Sequence, residues 1–419
     1  MFEVIWISAH EILDSRGGPT ISVAVELFSK HTGTASVPSG MSLGTREAHE
    51  LRDGDDERYA GDGTRLAVGN VKGEIARLVR GRKFADLAEL DEALAHLDGT
   101  RNKSRLGANA ICGVSMAIAR AAASQEGQPL WCSLMPEGVT PRVPLPYFNI
   151  VNGAKHAPNE LEFQEFMVVP VGAPAFVDAV RAGADIHRAF RRALVHEGLG
   201  RALGDDRGFA PGIDDPEAVL SLLVAAIDDA GYRADRSEIA IALDPAASHF
   251  YRDEGYHVAG ATLSATAMID WYADLVENFP ISSIEDGLAE DDWQGWQHLT
   301  SRLGDRLQIV GDDIFVTNAE LIVSGVDHRV ANAALIKPNQ IGTVTETFEA
   351  MRVCRGADWS QIVSHRAGDT DDTFIADLAV GSGCGRIKAG APIRGEHVAK
   401  YNRLIEIETD ACLPYGAAD

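Results

Sequence analysis

No apolar run in this chain approaches the roughly 20 residues of a membrane span. Met1 is followed by no charged-then-apolar leader, so a cytoplasmic protein with no membrane partner is expected. Cysteine is scarce: Cys112, Cys132, Cys354, Cys384 and Cys412 are odd in number, widely spread and form no CxxC pair. They read as thiols in a reducing compartment, which excludes a disulfide frame and a zinc site. Positive charge is short as well, with 38 Lys+Arg against 62 Asp+Glu and a formal net charge of −24. Nucleic-acid binding relies on basic patches, so no nucleic-acid partner is expected. An anionic ligand would be repelled by the bulk field and would need a local cluster of cations or metal to overcome it. Internal repeats and low-complexity segments are absent.

The chain does have length and apolar content. Its 419 residues, 45% of them hydrophobic, can bury a sizeable core, and they fit a barrel of about 250 residues plus a second domain. The organisation divides near residue 140, at the proline-rich stretch MPEGVTPRVPLP (135–146). Before it, SRGGPT leads into the alternating stretch ISVAVEL (21–27), which predicts antiparallel hairpin structure. Helical patterns follow, clearest in LGANAICGVSMAIARAAA (106–123), where small residues predict close packing. Strands followed by helices indicate an α+β domain over 1–134. Beyond the linker, two adjacent strands (LPYFNIVNG and EFMVVPVG) and two helices (about 174–198 and 215–230) precede a regular βα alternation that fills the domain over 141–419.

That alternation carries the chemistry. IALD ends at Asp244, SSIE at Glu285, QIVGD at Asp312, ALIK at Lys337, IVSHR at His365 and Arg366, and RIK at Lys388. Consecutive ends lie 23 to 41 residues apart, the chain length of successive βα units. In a (β/α)₈ barrel the C-terminal strand ends meet at one face, where active sites are built. Asp244, Glu285 and Asp312 offer only oxygen ligands, the set that suits a hard cation such as Mg²⁺. One such aspartate would read as a helix N-cap, but three in successive units read as a metal site. Lys337 ends a strand that reads as buried. Beside a metal and other cations its pKa would fall, which suits a base. Arg366 offers a planar fork and Lys388 a point charge for an anion, with His365 alongside. A lysine base with metal is the pattern of enzymes that abstract a proton α to a carboxylate.

The resemblance that these residues carry covers nearly the whole chain. EILDSRGGPT (11–20), PSGMSLGTREAHELRDGD (38–55), GANAICGVSMAIARAAA (107–123), NIVNGAKHAPN (149–159), QEFMVVPVGA (164–173), GDDRGFAP (204–211), ALDPAAS (242–248), SIED (283–286), VGDDIFVTN (310–318), LIKPNQIGT (335–343), SHRAGDT (364–370) and IKAGAP (387–392) stand in the order of the enolase family. The chain resembles that family, which implies a ββαα(βα)₆ barrel behind an α+β capping domain. It implies abstraction of the C2 proton of 2-phosphoglycerate and loss of water to give phosphoenolpyruvate. By this resemblance Asp244, Glu285 and Asp312 match the ligands of a first Mg²⁺. Ser42 matches a lid serine that helps bind a second Mg²⁺ arriving with substrate. Lys337 matches the base, Lys388 a carboxylate contact and Arg366 a phosphate contact. His156 matches a closing-loop histidine. Gln164 and His365 fall in matched motifs beside the substrate, and Glu165 matches a carboxylate near the leaving hydroxyl. Homodimers or homo-octamers are implied, with Arg16 in a motif associated with the subunit contact.

The departures lie around that centre. Asp206 and Arg207 stand where the family has glutamate and glycine, in GDEGGFAP. The acid is one methylene shorter, and an adjacent cation would depress its pKa. Ala367 replaces a serine, Leu43 a threonine, Gly287 a proline and His249 a glutamate, and the histidine loop carries Ala154, Lys155 and Pro158. Two alternatives to a working enolase therefore stand. One is a paralogue taking a phosphonylated carboxylate, similar to carboxyphosphonoenolpyruvate synthase of phosphonate pathways. The other is a weakly active binding or scaffold protein.

Overall fold

The computed structural model describes residues 1–40, 44–253 and 255–417. Ser42 and Leu43 lie outside the described residues. The capping sheet is built from β1 (Phe2–Leu13), β2 (Pro19–Leu27), β3 (Thr32–Ser36) and the short β4 (Lys83–Phe84), in the order β3-β2-β1-β4. β1 and β2 form the expected hairpin across the Asp14–Gly18 turn. Helix Ala108–Gln125 lies on this sheet, and its small residues let the backbones approach closely. A Cβ added at Gly33 would stand 2.0 Å from the Ala117 carbonyl oxygen.

The barrel closes in the order β5 (Leu145–Asn152), β6 (Glu165–Val169), β7 (Ala240–Asp244), β11 (Ile281–Glu285), β12 (Gln308–Gly311), β13 (Ala333–Ile336), β14 (Ser360–Ser364) and β15 (Arg386–Lys388). A small meander of β8 (Tyr251–Arg252), β9 (Gly255–Val258) and β10 (Ala261–Leu263) interrupts the chain after β7. The proline-rich linker ends earlier than its composition implies, because Leu145 and Pro146 already pair with β15. Helices Phe176–His196 and Pro216–Asp229 fill the gap between β6 and β7. The barrel strands are buried on both faces and read as continuous apolar runs. The helices between them start at side-chain caps, among them Ser264, Asp292, Asn318 and Thr343.

One strand breaks the parallel rule, and it matters for the site. β6 runs antiparallel to both β5 and β7, with Glu165 opposite Asn152 on one side and Asp244 on the other. The start of β6 therefore lies at the face where its neighbours end. The cap docks on the same molecule through polar contacts. Asp91 Oδ2 accepts from the Thr345 amide at 3.0 Å and its hydroxyl at 2.6 Å, and Ser115 Oγ accepts from the Val344 amide at 3.0 Å. Ser39 and Gly368 exchange backbone hydrogen bonds of 2.8 and 2.9 Å. Among the described residues no helix is long and apolar enough to cross a membrane.

Candidate active site

Six strand ends deliver their groups to one face. Asp244, Glu285 and Lys388 are the last residues of β7, β11 and β15, Asp312 and Lys337 directly follow β12 and β13, and His365 and Arg366 follow β14. Gln164 and Glu165 arrive at the start of reversed β6, and His156 on the short turn Ala154–His156. Asp206 sits in the tight loop between Gly204 and Gly208. A small cavity of about 30 Å³ is lined by these side chains, except Glu285, together with Ser364 and Ala367. Every one of these predicted groups is at most 9% exposed, so charges here are felt in a low-dielectric setting.

Lys388 is the hub. Its Nζ lies 3.0 Å from Glu165 Oε2, 3.2 Å from Asp244 Oδ2 and 3.0 Å from Glu285 Oε1. Burial alone would lower its pKa, but the three carboxylates reverse this and hold it well above the usual lysine value. Glu165 moves the other way: burial raises its pKa to about 8, against the pull of Lys388. Gln164 Nε2 donates to Asp244 at 3.1 Å. Lys337 pairs directly with Asp312, whose other oxygen accepts from Gln340 Nε2 at 2.9 Å. Although burial opposes it, Asp312 raises the Lys337 pKa. That is the reverse of the fall expected from neighbouring cations, because the nearest charge is a carboxylate.

Beside Glu165, His156 Nδ1 contacts Asp206 and lies 3.7 Å from Glu165 Oε1. Burial would raise the Asp206 pKa, yet it falls well below the usual value, with His156 the leading opposing cause. Burial lowers the pKa of His365 and takes that of His397 to about 4, so both are neutral and the effective cation is His156. The Asp206 pKa is depressed as the sequence implies, but Arg207 is not among the leading causes. The Arg207 side chain turns away, with its Nε 3.0 Å from Glu396 Oε1 and its Nη2 2.6 Å from the Ser15 carbonyl oxygen.

Arg366 is held by Glu47, with contacts of 2.9 and 3.0 Å, and by Asn339 Oδ1 at 3.4 Å. Glu47, Asn339 and Asn152, whose Nδ2 reaches Asp206 at 3.4 Å, were not singled out from the sequence. Glu47 lies inside the PSGMSLGTREAHELRDGD stretch, which was the available signal.

Among the described residues, two groups bring three ligand-type atoms within 4.8 Å: His156, Glu165 and Asp206, and Asp286, Asp312 and Asp313. Asp244, Glu285 and Asp312 do not form such a group, and lysine ammonium groups stand at their oxygens. The set nevertheless suits a hard divalent cation. It is all oxygen, and Asp244 Oδ1 is buried with no hydrogen-bond partner. Asp286, with a backbone φ of 45°, spends its carboxylate on the amides of Asp312 and Asp313, both at 2.9 Å, and so fixes the turn that presents Asp312.

Residues 4–134 match the family described as "Enolase, N-terminal domain", and residues 140–413 that described as "Enolase, C-terminal TIM barrel domain". A curated relative, the enolase of Rubrobacter xylanophilus, is 49% identical over 410 residues, covering 97% of this chain and 95% of the relative.

Proposed function

The chain belongs to the enolase family, and from that premise we propose that it is a Mg²⁺-dependent lyase. It removes the C2 proton of 2-phosphoglycerate and eliminates water to give phosphoenolpyruvate. The observation that carries this reading is the pair of buried lysines, Lys337 and Lys388, each against carboxylates at the strand ends of one cavity. Asp244, Glu285 and Asp312 would hold one Mg²⁺, and Ser42 would help hold a second that arrives with substrate; their charge would offset that of the substrate carboxylate and of Asp312.

Lys337, freed of part of the pull of Asp312, accepts the C2 proton. Lys388 and Gln164 orient the substrate carboxylate, and Arg366, backed by Glu47, faces the phosphate with His365 beside it. The leaving hydroxyl is met by His156, Asp206 and Glu165. Since His156 keeps Asp206 ionised, the proton for the leaving hydroxide comes from the His156–Asp206 pair as a unit, or from Glu165, whose pKa of about 8 keeps a proton available at neutral pH. The protein is cytoplasmic in this reading, a homodimer or homo-octamer with its cap over 1–134 and its barrel over 141–419.

A second reading rests on Ala367, whose place in the cavity lining leaves a methyl where a hydroxyl would contact phosphate. It has the same proton abstraction act on a bulkier phosphorus group. The test is Mg²⁺-dependent exchange of the 2-phosphoglycerate C2 proton with solvent, followed alongside phosphoenolpyruvate formation. Exchange with rapid product formation supports the first reading. Exchange without elimination moves the weight to the second. No exchange at all defeats the assignment of Lys337 on this substrate and leaves a binding role.

A further inference from the structure

Arg207 sits in a tight loop between two crowded glycines. The loop is closed by Gly204 N donating to the Gly208 carbonyl at 2.8 Å and Arg207 N donating to the Gly204 carbonyl at 3.1 Å. Both glycines are pinched: a Cβ at Gly204 would meet the His156 carbonyl oxygen at 2.5 Å, and one at Gly208 the Asn152 Oδ1 at 2.8 Å. Between them Arg207 takes a φ of 63°, a left-handed conformation unfavourable for a residue with a Cβ. Such strain persists only where surrounding contacts over-determine it.

Those contacts are specific. The guanidinium donates to Glu396 in the first turn of helix Gly395–Ala411 and to the Ser15 carbonyl in the cap's hairpin turn. The ion pair is mostly buried, at 24% and 16% side-chain exposure, so it is screened less than a surface pair. Ser15 is itself fastened behind the site: its amide donates to the Asp369 carbonyl at 2.8 Å and its hydroxyl to the Ala367 carbonyl at 3.2 Å. The Asp206 carbonyl, next in the chain, accepts from the Ala391 amide at 3.1 Å. One side chain thus joins the loop of Asp206, the last helix and the capping domain.

We infer that Arg207 is a positioning residue that latches the Asp206 loop onto Glu396 and the cap turn at Ser15, holding Asp206 against His156 before substrate arrives. It rests on the assignment of Asp206 to departure of the leaving group, not to proton abstraction. A latch of this kind sets the geometry of one step, and a displacement of about 1 Å there can cost on the order of 100-fold in rate.

The test uses the full chain and its Arg207→Gly, Arg207→Lys and Glu396→Gln variants, with the thermal midpoint as a folding control. Amide hydrogen exchange over residues 204–210, without substrate, reads the latch directly. We expect Arg207→Gly and Glu396→Gln to speed it by about tenfold or more, Arg207→Lys by less, and the Gly/Gln double variant to add little. With Mg²⁺ and 2-phosphoglycerate, Arg207→Gly should leave C2 proton exchange and KM within about twofold while elimination kcat falls by about tenfold or more. Unchanged amide protection in Arg207→Gly overturns the latch. Parallel loss of C2 exchange and elimination overturns its placement on the leaving-group step. A parent chain that neither exchanges nor eliminates 2-phosphoglycerate defeats the functional reading, while the amide measurement still decides the latch.

Discussion

Replacing Lys388 with methionine removes the one positive charge that, among the described residues, touches Glu165, Asp244 and Glu285 together, at 3.0 to 3.2 Å. All three carboxylates are at most 4% exposed, so water cannot take its place. Breaking a buried ion pair by deleting one partner typically costs about 3–5 kcal/mol, because the other charge is left uncompensated. For a domain of this size that is a fall of about 5–9 °C in melting midpoint. Calorimetry at pH 8 in chelator should show it. The loss has a pH dependence of definite sign. Unpaired buried carboxylates have folded-state pKa values above their unfolded ones, so stability is retained below the unfolded range near 4 and lost as pH rises through the folded values. The variant's deficit should therefore shrink towards pH 5, where the carboxylates take up protons. Excess Mg²⁺ should recover part of the midpoint, since it supplies positive charge to the same oxygens. A midpoint in chelator within about 2 °C of the parent at pH 8 would refute the hub role, as would a deficit that grows towards pH 5.

Three further outcomes follow from other parts of the molecule. Asp91, buried between cap and barrel, has its pKa raised by burial to about 6 from the ordinary 3.8. Its folded form holds a proton longer than the unfolded chain, so stability should drop by up to about 3 kcal/mol as pH rises from 4 to 6. Denaturant titrations of Asp91→Asn across that window should show the drop abolished, and an unaltered profile would contradict it. Asp206→Asn should keep C2 proton exchange while phosphoenolpyruvate formation falls by about 100-fold or more; equal loss of both in isotope exchange would place Asp206 elsewhere. Gly33→Ala would set a Cβ against the backbone of helix Ala108–Gln125 and should destabilise the chain by about 1–3 kcal/mol. A neutral result in urea unfolding would mean that the sheet can yield.

The barrel was legible because each parallel strand is a short apolar run with its polar residue at the end, and chain direction alone carries that residue to the shared face. Asp244, Glu285, Lys337 and Lys388 were found this way. Glu165 obeys no such rule. It begins its strand and reaches the same face only because β6 runs backwards, which no local pattern marks; the family resemblance singled it out. Arg207 was visible as an oddity, but its influence was assigned to the wrong neighbour, since a long side chain can turn to any partner within reach. Glu47 went unread because its partner Arg366 is far away in the chain.

Residue types and their spacing suffice to say that carboxylates, lysines and an arginine share one end of a barrel, because strand periodicity is a local property of the chain. The charge state of each group is not local. Asp312 raises the Lys337 pKa, His156 keeps Asp206 ionised and burial moves Glu165 to about 8. Those states depend on close contacts between residues far apart in sequence and on how little water reaches them, and both come into being only when the chain closes on itself.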